Sequence, residues 1–312
     1  MSKSDAATIL PAVSATVPDT ATTLVCPACG ATGREAAGFS IEGRFRLFHC
    51  RGCGLGALDI PQADDGGFDE YWSAVNQRIY ADPAVIDELQ RKYQGYFRDV
   101  SSIVPNRRFL DVGSGAGVSI GTAAGLGFEV LGIEPSAHAV ALSRRQFDVP
   151  VKQGLLSEDD DLPRDFGMLA LWDVIEHVAD PQALVRACRD HLAPGGVFLL
   201  ETPDEGTLLR RIICAFGRLG IPGLDLRRSI YYRAHRFYFT RAAMTRLLET
   251  NGFTQIRYHG EHTMFQKELR KKALYGGLSS AKRLWLTLVF AVLKRVPLLA
   301  NKMVVVAVRA TD

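Results

Sequence analysis

What the 312-residue chain lacks narrows its class first. It has no long apolar run: the longest, Leu284 to Leu293, is bounded by Lys282-Arg283 and Lys294-Arg295 and falls far short of the roughly 20 residues a helix needs to span a bilayer. No charged n-region followed by an apolar h-region opens it, so a secretory segment is not expected. Strong charge of either sign is missing too. A formal net charge of +3 is too small to announce nucleic acid by itself, and 47% hydrophobic with 23% charged residues describes an ordinary globular protein. Of only six cysteines, four fall in a metal-like pattern, while Cys188 and Cys214 stand alone in apolar settings, as reduced thiols do. The expected location is cytoplasmic, with attachment to the inner face of the membrane as an alternative.

The four patterned cysteines lie near the front. Residues 1–23, rich in Ala, Thr, Ser and Pro, read as a disordered tail. Then come Cys26-Pro-Ala-Cys29-Gly30 and Cys50-Arg-Gly-Cys53-Gly54, two C-x-x-C-G knuckles. Each presents two thiolates, and together they complete a closed tetrahedral shell suited to structural zinc. The intervening Gly38 to His49 alternates enough for a small hairpin whose core is too thin to fold without the metal. A redox dithiol pair, or a ribbon that has lost its ion, are the alternatives. The ribbon is placed at 24–58, a linker at 59–80 and a larger α/β domain at 81–312.

That domain opens on a glycine loop, Phe109-Leu-Asp-Val-Gly-Ser-Gly-Ala-Gly117, followed one helix-length later by Leu131-Gly-Ile-Glu134. Phe109 to Val112 suits a buried parallel strand, and Gly113, Gly115 and Gly117 let the backbone turn and approach a ligand. Glu134, with Pro135 after it, ends the next strand where an acid can accept from a ribose diol. The spacing is G-x-G-x-G and not G-x-G-x-x-G, and Asp111 beneath it would repel a diphosphate. A ligand carrying an amino group, a sulfonium and a ribose suits the site better. Asp111 to Gly117 with Glu134 resemble motif I and the acidic loop of class I S-adenosylmethionine-dependent methyltransferases. The resemblance covers roughly residues 80–312.

The rest of the pattern agrees with a doubly covered parallel sheet. A helix begins at Asp82-Pro83 and runs to about 103. Strands are expected at 107–113, 128–133, 150–153, 166–172, 197–202, 253–259 and 303–308, and helices at 116–126, 136–147, 181–192 and 241–250. Asp180-Pro181 and Thr240 cap helix starts, and Pro194-Gly-Gly196 and Gly252 stop helices. The fold class is α/β, a Rossmann-like seven-stranded sheet whose last strand the resemblance makes antiparallel. One departure concerns adenine. Many relatives carry Gly-Asp after the third strand, whereas this chain has Gln153-Gly154-Leu155-Leu156, leaving backbone groups and Leu155 or Leu156 to hold the base.

Methyl transfer from a sulfonium needs the acceptor aligned and, for a hydroxyl, its proton removed. The fourth strand ends Leu171-Trp-Asp-Val-Ile-Glu-His177, which resembles the D-x-x-E-H segment of small-molecule methyltransferases. His177 is a candidate base or acceptor contact, or a histidine tucked against the next helix. Asp173 suits the methionine end or the edge of the cofactor. Glu176 can join His177 on a divalent ion, with no third ligand in view. In Tyr231-Tyr-Arg-Ala-His-Arg-Phe-Tyr-Phe-Thr240, which resembles the H-x-x-x-F-T signature of these enzymes, His235 is the second base candidate, with a surface aromatic cluster packing the lid as the alternative, and Tyr231, Tyr232 and Tyr238 suit an aromatic or sugar pocket or, beside a helix start, the core. The insertions 205–239 and 262–301 are expected to bind the acceptor or form a lid. Thr207 to Arg233 and Gln266 to Arg283 each carry six basic residues against one acid, interleaved with leucine and isoleucine. That suits an anionic acceptor, a membrane headgroup layer, or solvated helix faces.

The expected activity is a transferase moving a methyl group, at oxygen, to a small molecule, sugar or lipid-linked glycan precursor, with S-adenosylmethionine and structural zinc as cofactors. The rivals are an RNA methyltransferase gripping RNA with its ribbon and a non-catalytic cofactor-binding partner subunit. Against RNA, the 24–56 region offers only Arg34, Arg44, Arg46 and Arg51 as cations, and no N-P-P-Y-like tetrapeptide follows the fourth strand.

Overall fold

A computed structural model describes residues 25–41, 45–60, 72, 74–157, 161–218, 227, 230–231, 234–262 and 300–311. The expected tail 1–23, most of the 262–301 insertion with its basic stretch and apolar run, and Tyr232 lie outside the described residues.

The chain starts with β1 (Arg34–Ile41), β2 (Phe45–Cys50) and β3 (Gly56–Leu58), an antiparallel ribbon. Helix α1 (Ala74–Tyr80) occupies part of the stretch expected to be a linker. Helix α2 (Pro83–Val100) begins as expected, with Asp82 accepting from the Ala84 amide at 3.0 Å and proline in its first turn. Its buried stripe Val85, Leu89, Tyr93, Phe97 and Val100 recurs at helical spacing and covers the sheet. It ends three residues before the expected boundary.

There follow β4 (Arg108–Val112), α3 (Val118–Gly125), β5 (Glu129–Glu134), α4 (Ala137–Phe147), β6 (Val151–Gln153), β7 (Phe166–Trp172), α5 (Pro181–His191), β8 (Leu192–Pro203), α6 (Leu208–Arg218), β9 (Phe237–Tyr238), α7 (Arg241–Thr250), β10 (Phe253–Glu261) and β11 (Lys302–Arg309). Seven of these strands form one sheet in the order β10-β11-β8-β7-β4-β5-β6. Pairs among β4 to β8 are parallel, and β11 is antiparallel to both β8 and β10. Alternate residues feed opposite layers: Leu110, Leu169 and Leu171 pack with α7 residues Met244 and Leu247, while Phe109, Met168 and Ala170 pack with Phe97 of α2.

One expectation fails locally. Pro194-Gly-Gly196 does not stop the α5 helix, which already ends at His191; those residues lie inside β8. The β7–β8 register shifts between Phe166 and Met168, so an irregular stretch absorbs the proline, which has no amide to give to a ladder, and Gly195 at φ 72°.

The order of the chain reverses between β4 and β7, which run outward to opposite edges. Ligands in such sheets collect beyond the carboxyl ends of the strands at that switch point. Gly113 to Gly117, Leu155 and Asp173 to His177 follow strand ends on this side, and Glu134 is the last residue of β5.

Candidate active site

Around the glycine loop, backbone geometry explains the residue types. Gly117 sits at φ 82° as the cap of α3, and a side chain there would collide with the Ser143 hydroxyl. Gly113, at φ 73°, leaves no room for a Cβ against Val174. Both positions therefore exclude other residues by conformation and by contact. Gly115 is covered by Trp72, whose ring lies 3.0 Å from where a Cβ would stand.

Glu134 ends β5 almost fully buried, its carboxylate accepting from the Gly115 amide at 2.9 Å and the Ser136 amide at 2.9 Å. The acid and the loop thus form one hydrogen-bonded cradle, and Pro135 follows directly. Asp111 is completely buried beneath it. The Ser119 hydroxyl and the Ile120 backbone approach without completing hydrogen bonds of normal geometry, and burial pushes its carboxyl up to about 7. Leu155, by contrast, stands 65% exposed beyond β6, while Leu156 is buried. An apolar side chain held out at this rim is the kind of surface a planar base covers.

Asp173 has the rare combination of an L side chain at φ 55° and an ion pair, with Lys302 Nζ 2.6 Å from its Oδ1. Lys302 also reaches Glu201 at 2.9 Å, and Lys92 bonds the other oxygen of Glu201. Burial pushes Glu201 up, but the two lysines outweigh it and hold its carboxyl below the ordinary value. The strained backbone of Asp173 is over-determined by this charge network. Sequence reasoning missed Lys92 and Lys302 because neither lies in a motif; they arrive from α2 and from the first residue of β11.

His177 and His235, 58 positions apart in sequence, meet edge to face with ring centroids 4.6 Å apart. His177 Nδ1 lies 2.6 Å from the Ala234 carbonyl oxygen. A carbonyl only accepts, so Nδ1 carries the hydrogen and Nε2 is the basic nitrogen. His235 is buried, and that burial, followed by the neighbouring His177, holds its pKa well below the ordinary histidine value. Glu176 is fully buried between them and Thr202, whose hydroxyl donates to Oε2 at 3.0 Å. Burial, reinforced by Asp173, pushes its carboxyl up to about 8. Ligand atoms of Glu176, His177 and His235 lie within 4.8 Å of one another, so the third ligand absent from the sequence reading is present in space. A proton on Glu176 competes with a cation for that corner.

One arginine of the basic stretch after β8 departs from expectation, while its neighbour Arg211 is exposed. Arg210, read as a cation for an anionic acceptor, is buried and bonds Glu205 at 2.8 Å, with its guanidinium over the Tyr231 and Tyr238 rings. Of the three tyrosines read as suiting a pocket or the core, Tyr231 and Tyr238 are core, each 1% exposed. On the outside of α6, Leu208, Ile212 and Phe216 are exposed at i, i+4 and i+8.

At the front, the four thiols converge. Cys26 Sγ lies 3.6 Å from Cys53 Sγ, and Cys29 Sγ lies 3.5 Å from Cys50 Sγ. Disulfides would require about 2 Å, whereas a tetrahedral ion with bonds of about 2.3 Å separates its ligands by about 3.8 Å. All four ligand atoms fall within 4.8 Å of one another, as a four-thiolate zinc shell needs. The hydrogen bond to Cys53 lowers the Cys26 thiol to about 5 and raises its partner, so one thiolate is already favoured.

The model of the methyltransferase domain family matches residues 84–258, more than half of the chain. The chain belongs to that family. The class I sheet expected from the glycine loop is the sheet observed, and its counterpart in the magnesium protoporphyrin IX methyltransferase (ChlM) from Synechocystis PCC 6803, solved with bound SAH, covers 78% of this chain and 98% of that one at 16% identity and a TM-score of 0.50. Similar in sequence are the ubiquinone biosynthesis O-methyltransferases of Xanthomonas campestris pv. campestris, 34% identical over 105 residues, and of Rhodopseudomonas palustris, 30% over 120. These matches cover 32% and 37% of this chain and 44% and 47% of the relatives, so the chain spans less than half their length. Among the described residues no helix is long and apolar enough to cross a membrane.

Proposed function

We propose that this methyltransferase moves a methyl group from S-adenosylmethionine to an oxygen of a small-molecule, sugar or lipid-linked glycan-precursor acceptor, with His177 as general base. The residues present fit the donor. Glu134 and the loop amides would hold the ribose, Leu155 the adenine face, and Asp111, buried under the loop, would favour a cation above it. S-adenosylmethionine supplies an electrophilic methyl on a sulfonium, so the protein has only to align the acceptor and take its proton.

The observation that carries the assignment of the base is the His177 Nδ1 bond to Ala234 O, which fixes Nε2 as the proton-accepting atom. Burial makes His235 the weaker candidate, and its place against His177 suits it to hold that ring in position. The relatives' printed names support methylation of a small molecule at oxygen. The exposed apolar stripe of α6 supports an acceptor with a lipid part, or a membrane surface, close by. The ribbon at 24–58 is assigned structural zinc.

Incubating the purified protein with methyl-labelled S-adenosylmethionine and fractionated cell extract tests this. Label is expected in a small-molecule or glycolipid fraction, and His177→Ala should lower its rate of appearance by roughly 10²–10⁴, the usual worth of general-base help. Label appearing in RNA would overturn the acceptor class; an undiminished rate in His177→Ala would remove the base.

A further inference from the structure

The ribbon does not stand apart from the catalytic domain. Its β3 pairs with β9, Gly56 opposite Tyr238 and Ala57 opposite Phe237, so the ribbon sheet continues into the segment that carries His235. Leu58 donates to Arg236 O at 2.9 Å, and Thr240, the cap of α7, donates its hydroxyl to Cys53 O at 2.7 Å. Cys26, Cys50, Cys53 and Leu55 share the core cluster of Leu110, Leu169 and Met244.

A polar chain runs through the same contact. His49, immediately before the third cysteine, places Nε2 3.1 Å from Glu205 Oε1. The same oxygen accepts from the Tyr231 hydroxyl, and Oε2 accepts from Arg210. Tyr231 packs on Tyr238 at 4.9 Å between ring centroids, and Tyr238 on His235 at 5.7 Å. The backbone of the segment is pinned from the other side, because the Arg236 and Phe237 amides donate to Glu176 O at 2.8 and 3.1 Å. Ala234, which orients His177, lies between these anchors.

We propose that the four-cysteine ribbon braces the segment behind the two histidines and that His49 is a positioning residue, holding Glu205, Tyr231 and Arg210 against Tyr238 and so fixing the segment that places His235 and orients His177. Glu205 is 8% exposed in its side chain and Arg210 7%, so this charge pair is desolvated and directional, and each hydrogen bond at Glu205 constrains the next. Its meaning for catalysis rests on the methyl-transfer reading, but its geometry is testable with no acceptor at all.

The test is nuclear magnetic resonance of the histidine rings in the zinc-loaded full chain, comparing wild type, His49→Leu and His49→Gln, whose amide can still donate to Glu205. In wild type, His177 is expected in the Nδ1–H form. His49→Leu should shift the ring nitrogens of both His177 and His235 and add the Nε2–H form of His177, and His49→Gln should restore the wild-type spectrum. Titration with S-adenosylhomocysteine should give affinities within about twofold across all three, since the cofactor cradle is built from other elements. If His49→Leu keeps one zinc per chain and its His177 and His235 signals superimpose on wild type, the inference is overturned. If His49→Leu loses its zinc, Glu205→Gln decides, because it breaks the chain from the catalytic side; unmoved histidine signals there overturn it equally. Failure of wild type to bind S-adenosylhomocysteine would count against the methyl-transfer reading and leave the histidine spectra to judge the ribbon.

Discussion

Asp111→Asn turns the least comfortable residue beneath the glycine loop into a measurement. Asp111 is buried completely at the end of β4, and that burial pushes its carboxyl up to about 7 from the ordinary 3.8. Its pKa is raised on folding, so its contribution to stability is whole below the unfolded value and is lost as pH climbs through the folded one. At 1.36 kcal/mol per unit, the loss is about 4 kcal/mol across the window, of which about 3 kcal/mol falls between pH 5 and pH 8. Asparagine keeps the shape without the charge. Urea unfolding of both proteins at pH 5, 6, 7 and 8 should show the variant gaining on wild type by about 3 kcal/mol from the lowest to the highest pH. Glu176, pushed up to about 8, titrates in the same window but is common to both proteins and cancels in the difference. A wild-type-minus-variant difference that stays flat with pH would refute the burial argument.

Three further outcomes follow from contacts already described. Lys302→Met leaves the Asp173 carboxylate beside buried Glu201 with Lys92 alone to balance them, and should cost about 3 kcal/mol in urea unfolding, the usual penalty for breaking a buried pair from one side. Gly117→Ala drives a methyl group into Ser143 at a left-handed backbone position; it should destabilise by at least 1–2 kcal/mol and weaken S-adenosylhomocysteine at least about tenfold by calorimetry. Elemental analysis should find one zinc per chain, and Cys26→Ser/Cys53→Ser should lower the melting temperature of the whole protein in a single transition, because the knuckles share the main core; an unchanged main transition would contradict that shared core.

Most of the sheet was legible because buried parallel strands announce themselves as apolar runs between turn residues. The run at 166–172 falls on the observed strand, and β4, β5, β6 and β11 sit within about one residue of expectation at most ends. Caps at Asp82, Asp180 and Thr240 were readable because a side chain oxygen and a following amide are local in sequence. What could not be read is long-range. Nothing in Phe237-Tyr238 shows that it pairs with Gly56-Ala57 nearly two hundred residues earlier, and nothing in Arg210 distinguishes a cation facing solvent from one buried on Glu205. The two histidines were each visible by motif, but their contact, and the burial of His235, belong to the folded chain.

Calorimetric titration of the zinc-loaded protein with S-adenosylhomocysteine, and in parallel with NAD, tests the central claim most directly. One site per chain with a dissociation constant of roughly 1–100 μM, the ordinary range for a substrate-sized affinity, is the expected result, with no heat from NAD. Saturable NAD binding at pH 8, where Asp111 is charged, together with silence toward S-adenosylhomocysteine would contradict it, because the G-x-G-x-G cradle would then be holding the diphosphate that this charge should repel.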